Sequence, residues 1–323
     1  MNKKEKIMAA IAGEAVDLPT AFWQPAGPAE NDPAAAAERA YAFAEAIGND
    51  LIITANGSGY SIEDCTAPDI IRNGGVSYIK NPADWERLDD LSLNRGALLR
   101  EQENLKCLLE KTGGTAPVLF RTESPLSAAA SLAPHIWEDI RRGDGDRVKT
   151  ALRKMTETAC ALVERAIQLG ADGIFFEAPL ADYEMTEESL YREYGMPYDL
   201  AVLSASQGWC NAVRGGGADC QFSLLRKYPA QILAWNASQS LPTLEAGKML
   251  SGKCVMAGIN RRYLEFGMKN HIEKNIIDAI RATGGRGLIL SAGAAVTPRR
   301  GMAAFFRKTR RDIEEKLRAS SAR

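Results

Sequence analysis

The chain has 323 residues, 46% of them hydrophobic and 25% charged, with a formal net charge of -1. That profile supplies ample material for a buried core and offers no broad basic face for nucleic acid. No apolar run reaches the roughly 18 to 20 residues that a membrane-crossing helix needs, so no membrane partner is expected.

Extended and helical patterns alternate from end to end. The first β-prone run, Pro19–Trp23, leads into F-W-Q-P-A-G-P (Phe22–Pro28). Two aromatics, two prolines and a glycine predict a buried strand turning into a stiff loop. Asp32-Pro33 caps an alanine-rich helix over Ala34–Ile47. The second run, Leu51–Ala55, precedes Asn56–Arg100, rich in Gly, Pro and Asp, which reads as a long insertion after the second strand. Loops in that position of a barrel usually line the active site. Further strands are predicted at Pro117–Thr122, Gly173–Glu177, Trp209–Arg214, Gln231–Trp235, Cys254–Gly258 and Gly287–Ser291. Helices are predicted at Asp146–Leu169, Thr186–Tyr194 (opening on a capping-box-like T-E-E), Leu241–Leu250, Asn270–Thr283 and Gly301–Ala319. In the last of these, Arg307, Lys308, Arg310 and Arg311 are followed by Asp312, Glu314 and Glu315, the pattern of a solvated amphipathic face.

Most strand candidates are apolar throughout, as parallel strands covered on both faces are. Eight such strands, each followed by helix, predict an α/β fold: a single (β/α)8 TIM-type barrel across residues 1–323, with the long insertion after the second strand. The six cysteines are dispersed with no C-x-x-C pair, and Ile7–Ile11 is too short for a signal-peptide core. A reduced, cytoplasmic protein is the expectation.

A set of stretches, in order, resembles the uroporphyrinogen decarboxylase superfamily. They are M-N-K-K-E-K-I-M-A-A-I-A-G-E-A-V-D-L-P, G-N-D-L-I-I-T, Y-I-K-N-P-A-D-W-E-R-L, L-G-A-D-G-I-F-F-E-A-P-L-A-D, G-M-P-Y, L-S-G-K-C-V-M-A-G-I-N and R-G-L-I-L-S-A-G-A-A-V-T-P. The resemblance covers nearly the whole chain and implies the same barrel. It also implies one of two chemistries: cofactor-free decarboxylation of a polycarboxylate tetrapyrrole, or corrinoid-linked methyl transfer, often with a zinc-bound thiolate acceptor. Neither residue set is carried over whole. Where the decarboxylases place two gripping arginines, an acidic residue and a histidine, this chain has Gln24 and Pro28, Asn56, and Ala294. Where the zinc enzymes place H-x-C and a late cysteine, it has Arg214, Gly215, Gly216 and Ala294. Uroporphyrinogen itself and a zinc-bound thiol are therefore both unexpected.

Polar groups remain at the strand ends, where barrel active sites lie. Glu177, Arg214 and Glu123 are the catalytic candidates, with Glu177 as the acid and the arginines as carboxylate anchors. Gln24, Asn56, Arg121, Tyr183, Asn236 and Asn260 are the substrate-binding candidates, and no metal site is expected. R-G-G-G at 214–217 would allow a ligand close to the backbone. The alternative reading has Arg121–Glu123 and Arg214–Glu177 as ion pairs plugging the barrel top. The leading expectation is a metal-free carboxy-lyase-type enzyme acting on a small anionic substrate. The alternatives are a corrinoid-linked methyltransferase without the thiol-binding zinc, its corrinoid carried by a partner protein, and a non-catalytic ligand-binding protein. The protein itself is expected to hold no cofactor, and a homodimer is in keeping with the resemblance.

Overall fold

The computed structural model describes all residues except 16, 26–31, 56–78, 89–91 and 322–323. Seven parallel strands form one curled sheet in sequential order: β1 (Ile52–Ile53), β2 (Val118–Glu123), β3 (Gly173–Ala178), β4 (Ala212–Gly215), β5 (Ile232–Ala234), β6 (Cys254–Gly258) and β7 (Leu288–Ser291). Sequential parallel order requires a crossover between neighbours, and helices supply it.

The first predicted strand, Pro19–Trp23, forms an isolated bridge instead of a full strand, and it closes the ring. Leu290 N donates to Pro19 O and Ala21 N to Leu290 O on the β7 side. On the β1 side, Asp50 N and Leu51 N donate to Thr20 O, but side chains complete the pairing. Asp50 accepts from Thr20 N at 3.1 Å, and the Asn49 amide both accepts from Phe22 N (3.0 Å) and donates to Phe22 O (2.8 Å). The backbone groups are satisfied without a regular ladder. Similarly, β4 begins at Ala212 rather than Trp209. Asn211 takes over that edge by accepting from Ile174 N at 3.0 Å through its side chain.

Of the predicted insertion Asn56–Arg100, residues 56–78 and 89–91 lie outside the described residues. The described remainder holds a 3₁₀ turn at Pro82–Arg87, whose buried Trp85 donates to Asp139 at 2.9 Å, and the start of a helix at Gly96–Thr112. The predicted cap at Thr186 does not form. That helix starts at Glu188, and Thr186 Oγ1 is buried without a hydrogen-bond partner. The C-terminal helix, Met302–Ser321, is less solvated than its charge pattern predicts. Arg310 is buried and donates to Leu18 O and Asp50 Oδ2, both at 2.9 Å, clamping this helix onto the closing segment.

Alternate strand residues face inward. Trp23, Ile53, Leu119, Phe175, Ala212, Ile232, Cys254, Met256 and Ile289 form a continuous buried cluster inside the ring. A second, larger cluster, including Phe120, Ile174, Phe176, Val213 and Leu233, fills the space between sheet and helices. The barrel interior is thus packed, and polar inward-facing groups are reached only at the carboxyl ends of the strands.

Candidate active site

The inward phase that places Leu119 and Phe175 in the core continues upward to Arg121 and Glu123 on β2 and to Glu177 on β3. Parallel register makes Glu123, Glu177, Arg214 and Ala234 successive neighbours across β2 to β5, and Ala234 continues to Met256 and Ile289. One row therefore runs from two carboxylates and a guanidinium to three apolar side chains.

Glu177 is buried, and both of its oxygens are engaged. Arg121 Nε donates to Oε2 at 2.5 Å and Arg214 Nη1 to Oε1 at 3.1 Å. Arg121 thus pairs with Glu177 and not with Glu123, although the latter lies on its own strand. Arg214 Nε donates to the carbonyl of Gly293 at 3.2 Å. Gly293 has φ +61, and an added Cβ would run into the Trp235 carbonyl, so glycine is what lets that turn aim its oxygen at Arg214. Below, Thr54 Oγ1 accepts from Arg121 N at 2.9 Å and ties β2 to the end of β1.

Glu123 is in the opposite situation. It is half-buried as a whole, but its Oε1 is sealed from solvent and has no hydrogen-bond partner. Burial pushes its pKa up from 4.5 to about 7, helped by the charge of Glu177 and opposed by Arg121. The cause is geometric: adjacent strands sit about 4.8 Å apart, so two carboxylates in register share one small space, and the unpaired one resists ionisation. Near neutral pH the row offers a carboxylic acid beside an arginine-held carboxylate.

Behind β2, Ser124 and Asp199 are fully buried. Tyr191 and Tyr228 donate to Asp199 Oδ2 at 2.5 and 2.8 Å. Burial raises the Asp199 pKa to about 6, while Ser124 and the two tyrosines pull it back. Ser124 N also donates to Glu177 O at 2.8 Å, so this cluster fixes the end of β2 against β3.

The other expected residues fall in different places. Gln24 is half-buried in a narrow crevice with Phe22, Asn49 and Thr54, and Asn56 lies outside the described residues. Asn236 follows β5; its Nδ2 donates to Gln239 at 2.7 Å, while its Oδ1 is buried without a partner. Asn260 is a helix cap, its Oδ1 accepting from Arg262 N at 3.0 Å. Tyr183 is exposed on the outer rim and donates to Glu188 at 2.6 Å. R-G-G-G is closely packed: an added Cβ would meet Cys220 at Gly215 and the Pro179 backbone at Gly216. Gly217 has φ +68 and lies against Asp182, whose carboxylate accepts from Asp219 N (2.7 Å) and Glu184 N (2.9 Å). Sequence reasoning missed Trp23, which packs edge-on to Phe175 (centroids 4.7 Å apart) with its Nε1 buried and unpartnered. The signal was its inward phase two residues after Ala21.

A family model described as uroporphyrinogen decarboxylase (URO-D) matches residues 28–306. The chain belongs to the uroporphyrinogen decarboxylase family. Among curated proteins it is similar to the methylcobamide:CoM methyltransferase of Methanosarcina acetivorans, 30% identical over 142 residues, and to that of Methanosarcina mazei, 26% identical over 138 residues. Each match covers 43% of this chain and 40% of the relative's length. Among solved structures, a methyltransferase from Methanosarcina mazei superposes with TM-score 0.74 at 17% identity, over 97% of this chain and 99% of the other. A B12-independent methionine synthase from a Shewanella species does so with TM-score 0.61 at 14% identity, over 95% and 99%. At these identities the structures establish the shared fold alone.

The thiol-activating zinc of the methyltransferase branch does not fit the residues present. At the end of β4, Arg214 commits Nε to Gly293 O and Nη1 to Glu177, and Gly215, Gly216 and Ala294 bring no ligand atom. Among the described residues, no group of three or more His, Cys, Asp or Glu side chains is arranged to hold a metal ion. The Cys210, Cys220 and Cys254 thiols are buried, and burial pushes the pKa of Cys220 and Cys254 up to about 12. No helix among the described residues is long and apolar enough to cross a membrane.

Proposed function

We propose that this chain removes a methyl group from a small anionic substrate in a corrinoid-dependent transfer, with Glu123 as the proton donor. The observation that carries this reading is the half-buried Glu123 carboxyl, its Oε1 sealed and unpartnered, raised to about 7 beside the doubly paired Glu177. The similarity to methylcobamide methyltransferases supports the reaction class. Among the described residues, no set of side chains is arranged to hold a zinc ion, so the reading assigns no step to one.

A corrinoid, carried on a partner protein, supplies the acceptor for the methyl group. The chain's own residues handle the substrate. When the methyl–heteroatom bond breaks, the heteroatom keeps the electron pair, and Glu123 supplies the proton that neutralises it. The carboxylate left behind stands next to Glu177, and that repulsion favours its reprotonation from water. Glu177 orients Arg121 and Arg214, and Arg214 anchors the substrate's negative charge from a position braced by Gly293. The role given to Glu177 by sequence, acid, passes to Glu123, because both Glu177 oxygens already accept from guanidinium groups.

A metal-free carboxy-lyase is the second reading, favoured by the same neutral acid, which would protonate a carbanion after loss of carbon dioxide. The test is incubation with cob(I)alamin and a panel of small O-, N- and S-methylated carboxylates. The expected result is methylcobalamin formed only with enzyme and slowed roughly 100-fold or more by Glu123→Gln. Release of carbon dioxide with no methylcobalamin would replace this reading with the lyase.

A further inference from the structure

At the other end of the barrel from the mouth, a pocket of about 450 Å³ opens beside the amino ends of β1 and β2. That volume falls within the roughly 300 to 1,000 Å³ of small-molecule sites. Its charged lining comes from four segments. Lys3 and Lys6 belong to the helix Lys3–Ile11, Glu45 to the helix Pro33–Ile47, Asp50 to the turn into β1, and Arg307 and Arg310 to the C-terminal helix. Four cations therefore meet two carboxylates, and each acidic residue is flanked by two cations. Lys3 Nζ donates to the Glu45 carboxylate at 3.1 Å, and Arg307 Nη1 to the Glu45 carbonyl at 2.8 Å. Asp50 Oδ2 accepts from Arg310 Nη1 at 2.9 Å, while Lys6 Nζ stands 3.6 Å from Oδ1. The Arg307 stem lies over Gly48, where an added Cβ would meet it at 2.9 Å, so the two groups share one wall.

Like charges held together repel, and an ion-pair network that serves stability alone matches cation to anion. This one leaves an excess of two positive charges, and it leaves donors over as well. Lys6 Nζ, at 3.6 Å from Asp50 and 3.9 Å from Asp17, reaches neither within hydrogen-bond distance. Arg310 is 9% exposed and donates only through Nη1, to Leu18 O and Asp50, and its buried Nε has no hydrogen-bond partner. The carboxylates behind the wall do not restore the balance. Asp17 is held by Arg318, and Glu314 comes no nearer to Arg310 than 3.9 Å while burial favours its proton-bound form. We infer that this basal pocket binds a small phosphate monoester, its phosphoryl group set between Lys6 and Arg310 on one side and Lys3 and Arg307 on the other. A phosphoryl group carries about -1.5 to -2 charge at pH 7, matching the excess, and its three oxygens accept from cations on both sides. A carboxylate would leave one positive charge unmatched. The rest of the volume takes the ester's body. Arg310 and Asp50 also hold the closing segment at Leu18 and Thr20, so a bound dianion adds to the clamp that closes the barrel. The site is independent of the chemistry at the mouth.

The test is calorimetric titration of the full chain with glycerol 3-phosphate, inorganic phosphate and acetate at one ionic strength. Glycerol 3-phosphate should bind roughly tenfold or more tightly than acetate, bind more tightly than inorganic phosphate, and raise the melting temperature. Lys6→Gln should weaken it roughly tenfold, the loss of one hydrogen bond to a charged group. Lys4→Gln removes a neighbouring cation that pairs with Asp172 outside the pocket, and it should leave the affinity unchanged. Equal affinity for the ester and acetate, or an affinity that Lys6→Gln does not move, would overturn the site. Inorganic phosphate binding as tightly as glycerol 3-phosphate would overturn the ester. Binding lost in Arg214→Lys and kept in Lys6→Gln would place the anion at the mouth and overturn the basal assignment. If Lys6→Gln fails to fold, Lys3→Gln, at a more exposed position, replaces it with the same expected loss. None of these readouts requires turnover, so failure of the proposed methyl transfer leaves this inference standing.

Discussion

Glu123→Gln is the perturbation whose effect the structure sets most closely. The Glu123 carboxyl has a folded pKa of about 7 against 4.5 in the open chain, because burial and the neighbouring Glu177 oppose its charge. A shift of that size is worth about 3 kcal/mol at about 1.4 kcal/mol per unit. The sign is fixed by which state holds the proton longer. With the folded value above the unfolded one, folding carries no ionisation cost below about pH 4.5. The cost then grows as pH rises and is complete above about 7. Glutamine keeps the shape and polarity without the charge, so it removes the cost where the cost exists. The variant should melt only about 2 °C above the wild type at pH 5, where the cost is about 1 kcal/mol. At pH 8 it should melt roughly 6 °C higher, taking about 2 °C per kcal/mol for a chain of this length. The assay is a set of melts by circular dichroism from pH 5 to pH 8. Asp199, raised to about 6, adds its own slope to both proteins and cancels in the difference. A melting difference that is the same at pH 5 and pH 8 would refute the assignment of a buried, proton-holding Glu123.

Other outcomes follow from the same geometry. Turnover that needs protonated Glu123 should fall about tenfold per pH unit above about 7, read as the basic limb of a kcat/KM profile that Glu123→Gln abolishes. Arg214→Lys should lower kcat/KM roughly tenfold or more, because an ammonium cannot span Glu177 and the Gly293 carbonyl together; equal activity would show that the fork is unnecessary. Gly293→Ala should destabilise by about 2 kcal/mol or more, since its φ of +61 and the Trp235 carbonyl leave no room for a methyl group, as urea titration would show. Tyr228→Phe should cost about 1 to 3 kcal/mol by the same titration, because it takes one of two phenol donors from the buried Asp199.

The fold could be read from sequence because uninterrupted apolar runs such as Ile-Phe-Phe at 174–176 mark strands covered on both sides, and their number and alternation with helix leave few architectures. The closing segment could not. Its pairing with β1 runs through the side chains of Asn49 and Asp50, and no periodicity reports a ladder completed that way. At the site, strand phase was enough to bring Arg121, Glu123, Glu177 and Arg214 to one mouth. The partner assignment was not, because it depends on register between strands more than 50 residues apart. Glu123↔Glu177 register produces the like-charge pair, and Arg121 reaches across to Glu177, so Glu123 has no ion pair of its own among the described residues. Asn260 shows the opposite case: a polar residue after a strand looks like a site group until a helix cap is seen to occupy it. Trp23 was hidden for a different reason: an aromatic in a core phase reads as packing, and only the unmatched Nε1 distinguishes it.

The claim on which the account depends is a neutral Glu123 at the mouth near pH 7. Infrared difference spectra of wild type against Glu123→Gln, collected from pH 5 to pH 9, test it most directly. The account predicts a protonated-carboxyl C=O band present at pH 6, lost with a midpoint near 7 and absent from the variant. A band already gone by pH 5, or one that persists unchanged in Glu123→Gln, would contradict it.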